Sequence, residues 1–288
     1  SIYVQTNQDS QIDQMKLIHN GETIFDLKKK DATSWKMVSP IESDFVNVLN
    51  INNLQTNIMQ LIIDKFGEEH ITEDQYAEYG FDDPAYTFYF SQEDGTETTI
   101  YAKDYDTKSA QFVECLQKET GQIFYCAANY ISFLLAEPAD FLSDVIYDAD
   151  MADVASVQVH IDGETDLNME LNSENKQYTV NDIDVAALGT DAVDALTTLY
   201  DNLTGLTTST LDLTDNVPTE EEPEITLTYN LKDGTTEVIT FLAKDKESYY
   251  VLRNGEYSGF LAKRTAFTSR NGILEFYHRL EKTIGMTE

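Results

Sequence analysis

Basic residues are scarce in this chain, with 19 Lys and Arg against 52 Asp and Glu and a formal charge of -33. A field of that sign repels phosphate backbones and anionic lipid surfaces, so nucleic acid is excluded as a partner. Long apolar runs are also missing: no stretch approaches the roughly 18 consecutive apolar residues that span a bilayer. The opening Ser1-Ile2-Tyr3-Val4 carries neither the charged nor the apolar region of a signal peptide. It has no initiator Met and starts inside a β-like segment, as expected of a chain trimmed behind a signal or anchor segment. Membrane attachment is therefore expected only through an N-terminal anchor absent from the sequence.

Residues suited to catalysis are equally sparse in useful arrangements. His19, His70, His160 and His278 lie far apart, and no pair has the i, i+4 or short-loop spacing of a zinc site. Gly255-Glu256-Tyr257-Ser258-Gly259 puts its serine one position late for a hydrolase nucleophile elbow. Asp148 to Asp153 starts like a calcium loop, but Ala152, Asp153 and Val159 stand where an oxygen ligand, a glycine and a glutamate are required. Carboxylates are too numerous for any pair to be singled out as general acid and base. No catalytic residue, metal ligand or cofactor is assigned, and the chain is not read as an enzyme.

What the chain does contain is an internal repetition. Val48, Ile51, Leu54, Ile58 and Leu61 recur in spacing as Val193, Leu196, Leu199, Leu203 and Leu206, which predicts two helices with one apolar stripe each. Before the first lies a hairpin around Asn20-Gly21, and before the second the alternation Val157, Val159, Ile161 runs into Asp162-Gly163. Gly21-Glu22-Thr23 reappears as Gly163-Glu164-Thr165. Short strands led by Trp35 and Tyr178 follow each hairpin. After each helix comes an acidic connection that ends before Pro84 or Pro223, then a four-stranded meander with turns at Asp94-Gly95 and Thr120-Gly121, or at Asp233-Gly234 and Asn254-Gly255. Short helical segments close both halves, at Asn129 to Leu135 and Ser269 to Ile284.

This order predicts an α+β fold made of two tandem, similar repeats of antiparallel sheet packed with helix. The expected division is 1–143, an acidic linker at 144–153, and 154–288. Cys115 and Cys126 fall symmetrically about Thr120-Gly121. With a two-residue loop they would face each other, with Cα atoms about 4.5 to 5.5 Å apart, within reach of a disulfide. Two buried thiols are the other reading, since a chain of this length needs no staple. Tyr76, Tyr79 and Phe81, next to Asp82 and Asp83 on an irregular connection, form the expected exposed aromatic patch and the partner or ligand surface.

The run from Trp35 through the helix to Tyr79-Gly80-Phe81-Asp82-Asp83-Pro84, then strand, Asp94-Gly95, strand and Phe124-Tyr125 leading into Ile131 to Leu135, resembles the bacterial family catalogued as domain of unknown function 4340. The resemblance covers residues 11 to 142 and departs from the family at Lys103-Asp104, where a glycine is usual before the aspartate. It implies an extracytoplasmic domain of a bacterium, behind a membrane anchor or lipoprotein signal, in some cases associated with ABC transporter subunits of the gliding-motility type. The expected function is non-enzymatic, the binding or scaffolding of a protein partner such as a transporter subunit. The alternative is a cell-surface carbohydrate- or peptide-binding module that uses a cleft between the halves.

Overall fold

The computed structural model describes the chain except residues 1, 4–6, 8, 215 and 288, and the side chains of Ile2 and Tyr3. The fold is α+β, with two large antiparallel sheets and few helices, and the chain divides into two compact units, Ser1–Ser143 and Asp144–Glu288. No described helix is long and apolar enough to cross a membrane. Of the opening β-like segment, Ile2–Tyr3 forms a short strand paired with Ile62–Ile63, while Ser1 and Val4 lie outside the described residues.

The first unit is built on an eight-stranded sheet. Its order is Trp35–Ser39, Glu22–Lys29, Ile12–His19, Tyr86–Gln92, Glu97–Ala102, Phe112–Gln117, Gln122–Ala127 and Lys65–Phe66. The first hairpin and the meander thus share one sheet, joined where Ile12–His19 pairs with Tyr86–Gln92. Asn20 and Gly21 both adopt left-handed backbone, φ 49° and 80°, as the two-residue turn requires. Strict alternation along Tyr86–Gln92 turns Tyr86, Phe88 and Phe90 inward, where Phe133 meets Phe88 at 4.8 Å between ring centroids. Helix Val48–Met59 starts at Asn47, whose side chain accepts a hydrogen bond from Asn50 N, and buries Ile51, Leu54 and Ile58. Val48, the first member of the expected stripe, is exposed.

The second unit has a nine-stranded sheet in the order Ile183–Asp184, Gln177–Val180, Leu167–Asn172, Val154–Ile161, Ile225–Leu231, Thr236–Ala243, Ser248–Arg253, Glu256–Lys263 and Thr210–Leu211. Helix Thr190–Thr204 buries Leu196, Leu199 and Leu203 from its stripe and packs against helix Ile273–Thr283, which buries Ile273, Tyr277 and Leu280. Residues 144–153 are not a free linker. Ile146 and Tyr147 are buried in this unit's core, Ile146 N donates to Leu206 O at 2.9 Å, and the Tyr147 ring lies 4.7 Å from that of Tyr229. Two apolar side chains without helical or strand periodicity give no pattern to read, yet they gain enough from burial to dock the segment.

The cysteines agree with the reading of two buried thiols and correct only the facing register. Gln117 pairs with Gln122, so the connection between the strands holds four residues instead of two, and Cys115 faces Phe124 while Cys126 faces Val113. Both are free, buried thiols. Burial pushes the Cys115 thiol up and Cys126 to about 12, so neither offers a thiolate at neutral pH. Reductant is therefore expected to leave the melting temperature unchanged, and alkylation followed by mass should add label at both cysteines only after denaturation.

Arg264 holds the second meander to its entry. It grips Glu224, the residue after Pro223, through Nη1 at 2.6 Å and Nη2 at 3.0 Å, and its guanidinium lies 4.2 Å over the Tyr249 ring. These hydrogen bonds hold the Glu224 carboxyl below its ordinary range. A depressed acid contributes stability above its unfolded pKa and loses it as pH falls through the folded value. Arg264→Lys, which removes the fork, should cost about 1 kcal/mol at neutral pH, because solvent reaches both partners. The gap between variant and parent in urea unfolding should narrow below roughly pH 4.

Candidate functional site

The surface expected from the sequence on the irregular connection, at Tyr76, Tyr79, Phe81, Asp82 and Asp83, does not present an aromatic patch. Tyr76 and Phe81 are 8% and 1% exposed and form a small core with Ile71, Leu116 and Ile123. The cross-strand pair Leu116 and Ile123 faces this connection, and the aromatics fold back to cover it. Lys103 Nζ sits 5.0 Å over the Phe81 ring and pairs with Glu114 at 2.9 Å. Tyr79 is half-buried, and of the five residues named for the patch only Asp82 and Asp83 are exposed. Beside the turn lies a shallow concavity of about 440 Å³, bordered by charged side chains including Glu73, Lys118 and Glu119.

A different surface of the first unit has the chemistry of an interface. No charged residue or histidine occurs from Phe45 to Ile63, or from Thr120 to Ala136, in a chain that is 25% charged. Helix Val48–Met59 and the short turns Ser132–Leu135 and Pro138–Phe141 come from these runs and their margin. They enclose a groove of about 330 Å³ lined by Asn50, Asn53, Asn57, Leu54, Phe133 and Leu135, with Asp140 its one carboxylate. Asn50, Asn53 and Asn57 follow one helix face at steps of three and four. Asn50 is fixed by donating Nδ2–H to Asp140 O at 2.7 Å, whereas Asn53 and Asn57 are exposed. Apolar side chains accompany them: Leu49 is 69% exposed and Leu135 45%. Amides both donate and accept, and a surface without charge loses little on desolvation, which is how interface centres are composed. In the sequence the groove is visible only as two charge-free runs, and the helical spacing within the first declares the buried stripe and not the exposed amides.

The second unit brings together Glu164, His278 and Glu281, whose donor atoms all lie within 4.8 Å of one another. His278 and Glu281 are one turn apart on helix Ile273–Thr283, and Glu164 follows the left-handed Gly163, φ 84°. His278 Nε2 is 2.8 Å from Glu164 Oε2. Glu281 is 3% exposed, and burial raises its carboxyl above the ordinary range, with the charge of Glu164 adding to the rise. Next to this cluster, His160 Nδ1 lies 2.7 Å from Asp166 Oδ1. Histidine spacing in the sequence does not reveal a cluster that joins one histidine to carboxylates from two segments.

The two antiparallel sheets with their few helices define an α+β protein. The chain belongs to the family described as domain of unknown function (DUF4340), whose model matches residues 35–219. The match begins at Trp35, later than the residue 11 read from the sequence, and continues past residue 142 into the second unit. Searches of curated proteins and of solved structures return no match.

Proposed function

We propose that this is a non-enzymatic, extracytoplasmic domain of a membrane-tethered bacterial protein that binds or scaffolds a protein partner, as an accessory to an ABC transporter. The observation that carries the reading is the groove beside helix Val48–Met59, with one carboxylate, Asp140, in its lining, exposed amides at Asn53 and Asn57, Leu135 in its wall and exposed Leu49 on the same helix. Amides match the donors and acceptors of a polypeptide backbone, and the leucines accept an apolar anchor. The charge of -33 steers a basic partner toward the chain, while the groove itself imposes little desolvation cost.

The tandem-repeat reading supports a scaffolding role. In both units a hairpin and third strand precede a helix and a four-stranded meander, and the strand order runs outward from the same junction of first hairpin strand with first meander strand. On this reading the two units descend from one copied ancestor, and the first has kept the open groove.

A photo-crosslinker in place of Asn53 in the source cells tests the proposal. A discrete polypeptide adduct is expected. A cell-surface carbohydrate is the competing ligand, because amides also bond sugar hydroxyls, but aliphatic Leu49 and Leu135 stand where a sugar would favour a flat ring. Binding on a glycan array without any polypeptide adduct would move the assignment to that class.

A further inference from the structure

We propose that Glu164, His278 and Glu281 form a binding site for a divalent first-row transition-metal ion. One imidazole nitrogen and two carboxylates are the donor set such ions take, and their mutual separations allow a single ion to reach all three. The backbone fixes the spacing from two sides. His278 and Glu281 share a helix face at i, i+3, and the glycine turn after Val154–Ile161 delivers Glu164 to the same place.

A buried polar group beside the cluster independently points to an occupant. Glu281 is 3% exposed, and the charges acting on its carboxylate are those of His278 and Glu164 within the cluster itself. The hydroxyl of Tyr277, the residue before His278, is buried without a hydrogen-bond partner among the described residues, and the charges acting on it are those of Glu281, Glu164 and Asp166. Native interiors rarely leave such a group unsatisfied. A protonated His278 supplies one positive charge against two carboxylates. A dication with neutral imidazole balances both.

The groups that face the site are Glu164 and Asp166 from the hairpin, with His160 bonded to Asp166, and Tyr277, His278 and Glu281 from the helix. The proton shared at 2.8 Å between His278 and Glu164 occupies the line the ion would take. Neighbouring ligands of a tetrahedral ion stand roughly 3.4 Å apart, so the two side chains separate by well under 1 Å. His278 is half-exposed and has the freedom to do so. Three protein donors leave a coordination position for water or for a donor from a ligand.

The test is calorimetric titration of ZnCl2 into the full chain, with MgCl2 as the control for general attraction of cations to an acidic protein. The expected result is one zinc ion per chain with a dissociation constant below about 10 µM, and no saturable site for magnesium. His278→Gln and Glu281→Gln should each weaken zinc binding at least about tenfold. His160→Gln, beside the site, should leave it unchanged. Without zinc, Glu281→Gln should melt at or above the parent temperature, since it removes a buried charge, so loss of zinc is distinct from loss of fold. Zinc affinity unaltered by both substitutions, or the absence of a saturable site in the parent chain, would overturn the proposal.

Discussion

Gly121→Ala is expected to lower the unfolding free energy by about 3 kcal/mol, one of the largest effects of a single methyl in this chain. Gly121 has φ 65°, a conformation an L side chain adopts at a cost of roughly 1–2 kcal/mol. Its added Cβ would also stand 2.3 Å from Ile71 O and 2.8 Å from Ile71 N, both backbone atoms. That contact cannot be relieved by a rotamer change. Ile71 N donates to Gly121 O at 3.0 Å, so the methyl pushes apart the pair that ties the 70–83 connection to the hairpin. The small core of Ile71, Tyr76, Phe81, Leu116 and Ile123 opens with it. Gly95→Ala supplies the comparison: φ is 85°, and no atom lies within 4 Å of its Cβ position. It should lose only the backbone part, about 1 kcal/mol. Equal losses for the two variants in urea unfolding would show that the close approach at Gly121 contributes nothing.

The second large effect is on association. Leu135→Asp places a charge in a groove whose surroundings carry almost none, and an unpaired carboxylate must be desolvated when a partner docks. Affinity for the partner captured through position 53 should fall at least about tenfold, a penalty of 1.4 kcal/mol or more. Leu135 is 45% exposed, so folding stability should change by less than about 0.5 kcal/mol. Asn175→Asp, an exposed charge elsewhere on the chain, serves as the reference and should leave affinity unaltered. A partner that binds Leu135→Asp as well as the parent docks somewhere else.

The comparison of sequence with structure separates what periodicity encodes from what it cannot. Ile51, Leu54 and Ile58, and Leu196, Leu199 and Leu203, declared their burial through helical spacing alone. Asn20-Gly21 and Asn254-Gly255 declared two-residue turns because the left-handed backbone they adopt is itself a property of those residue types. Cys115 and Cys126 are buried thiols, one of the two readings open from the sequence, but their facing was not legible, because register depends on loop length and Lys118 to Gly121 carries no local sign of a four-residue connection. Tyr76 and Phe81 misled for a different reason. An irregular segment is free to fold its aromatics onto whatever apolar pair needs cover, and Leu116 and Ile123 lie some forty residues away in sequence. Glu164, His278 and Glu281 share this long-range character: only the tertiary fold brings a turn near residue 164 to a helix near residue 280.

Deuterium exchange of the full chain with and without its captured partner tests most directly the claim that the charge-poor groove beside helix Val48–Met59 is the docking surface. Amides of 48–59 and 132–141 should exchange more slowly in the complex. Unchanged exchange there, with slowing confined to the 79–83 turn or to residues 144–288, would contradict it.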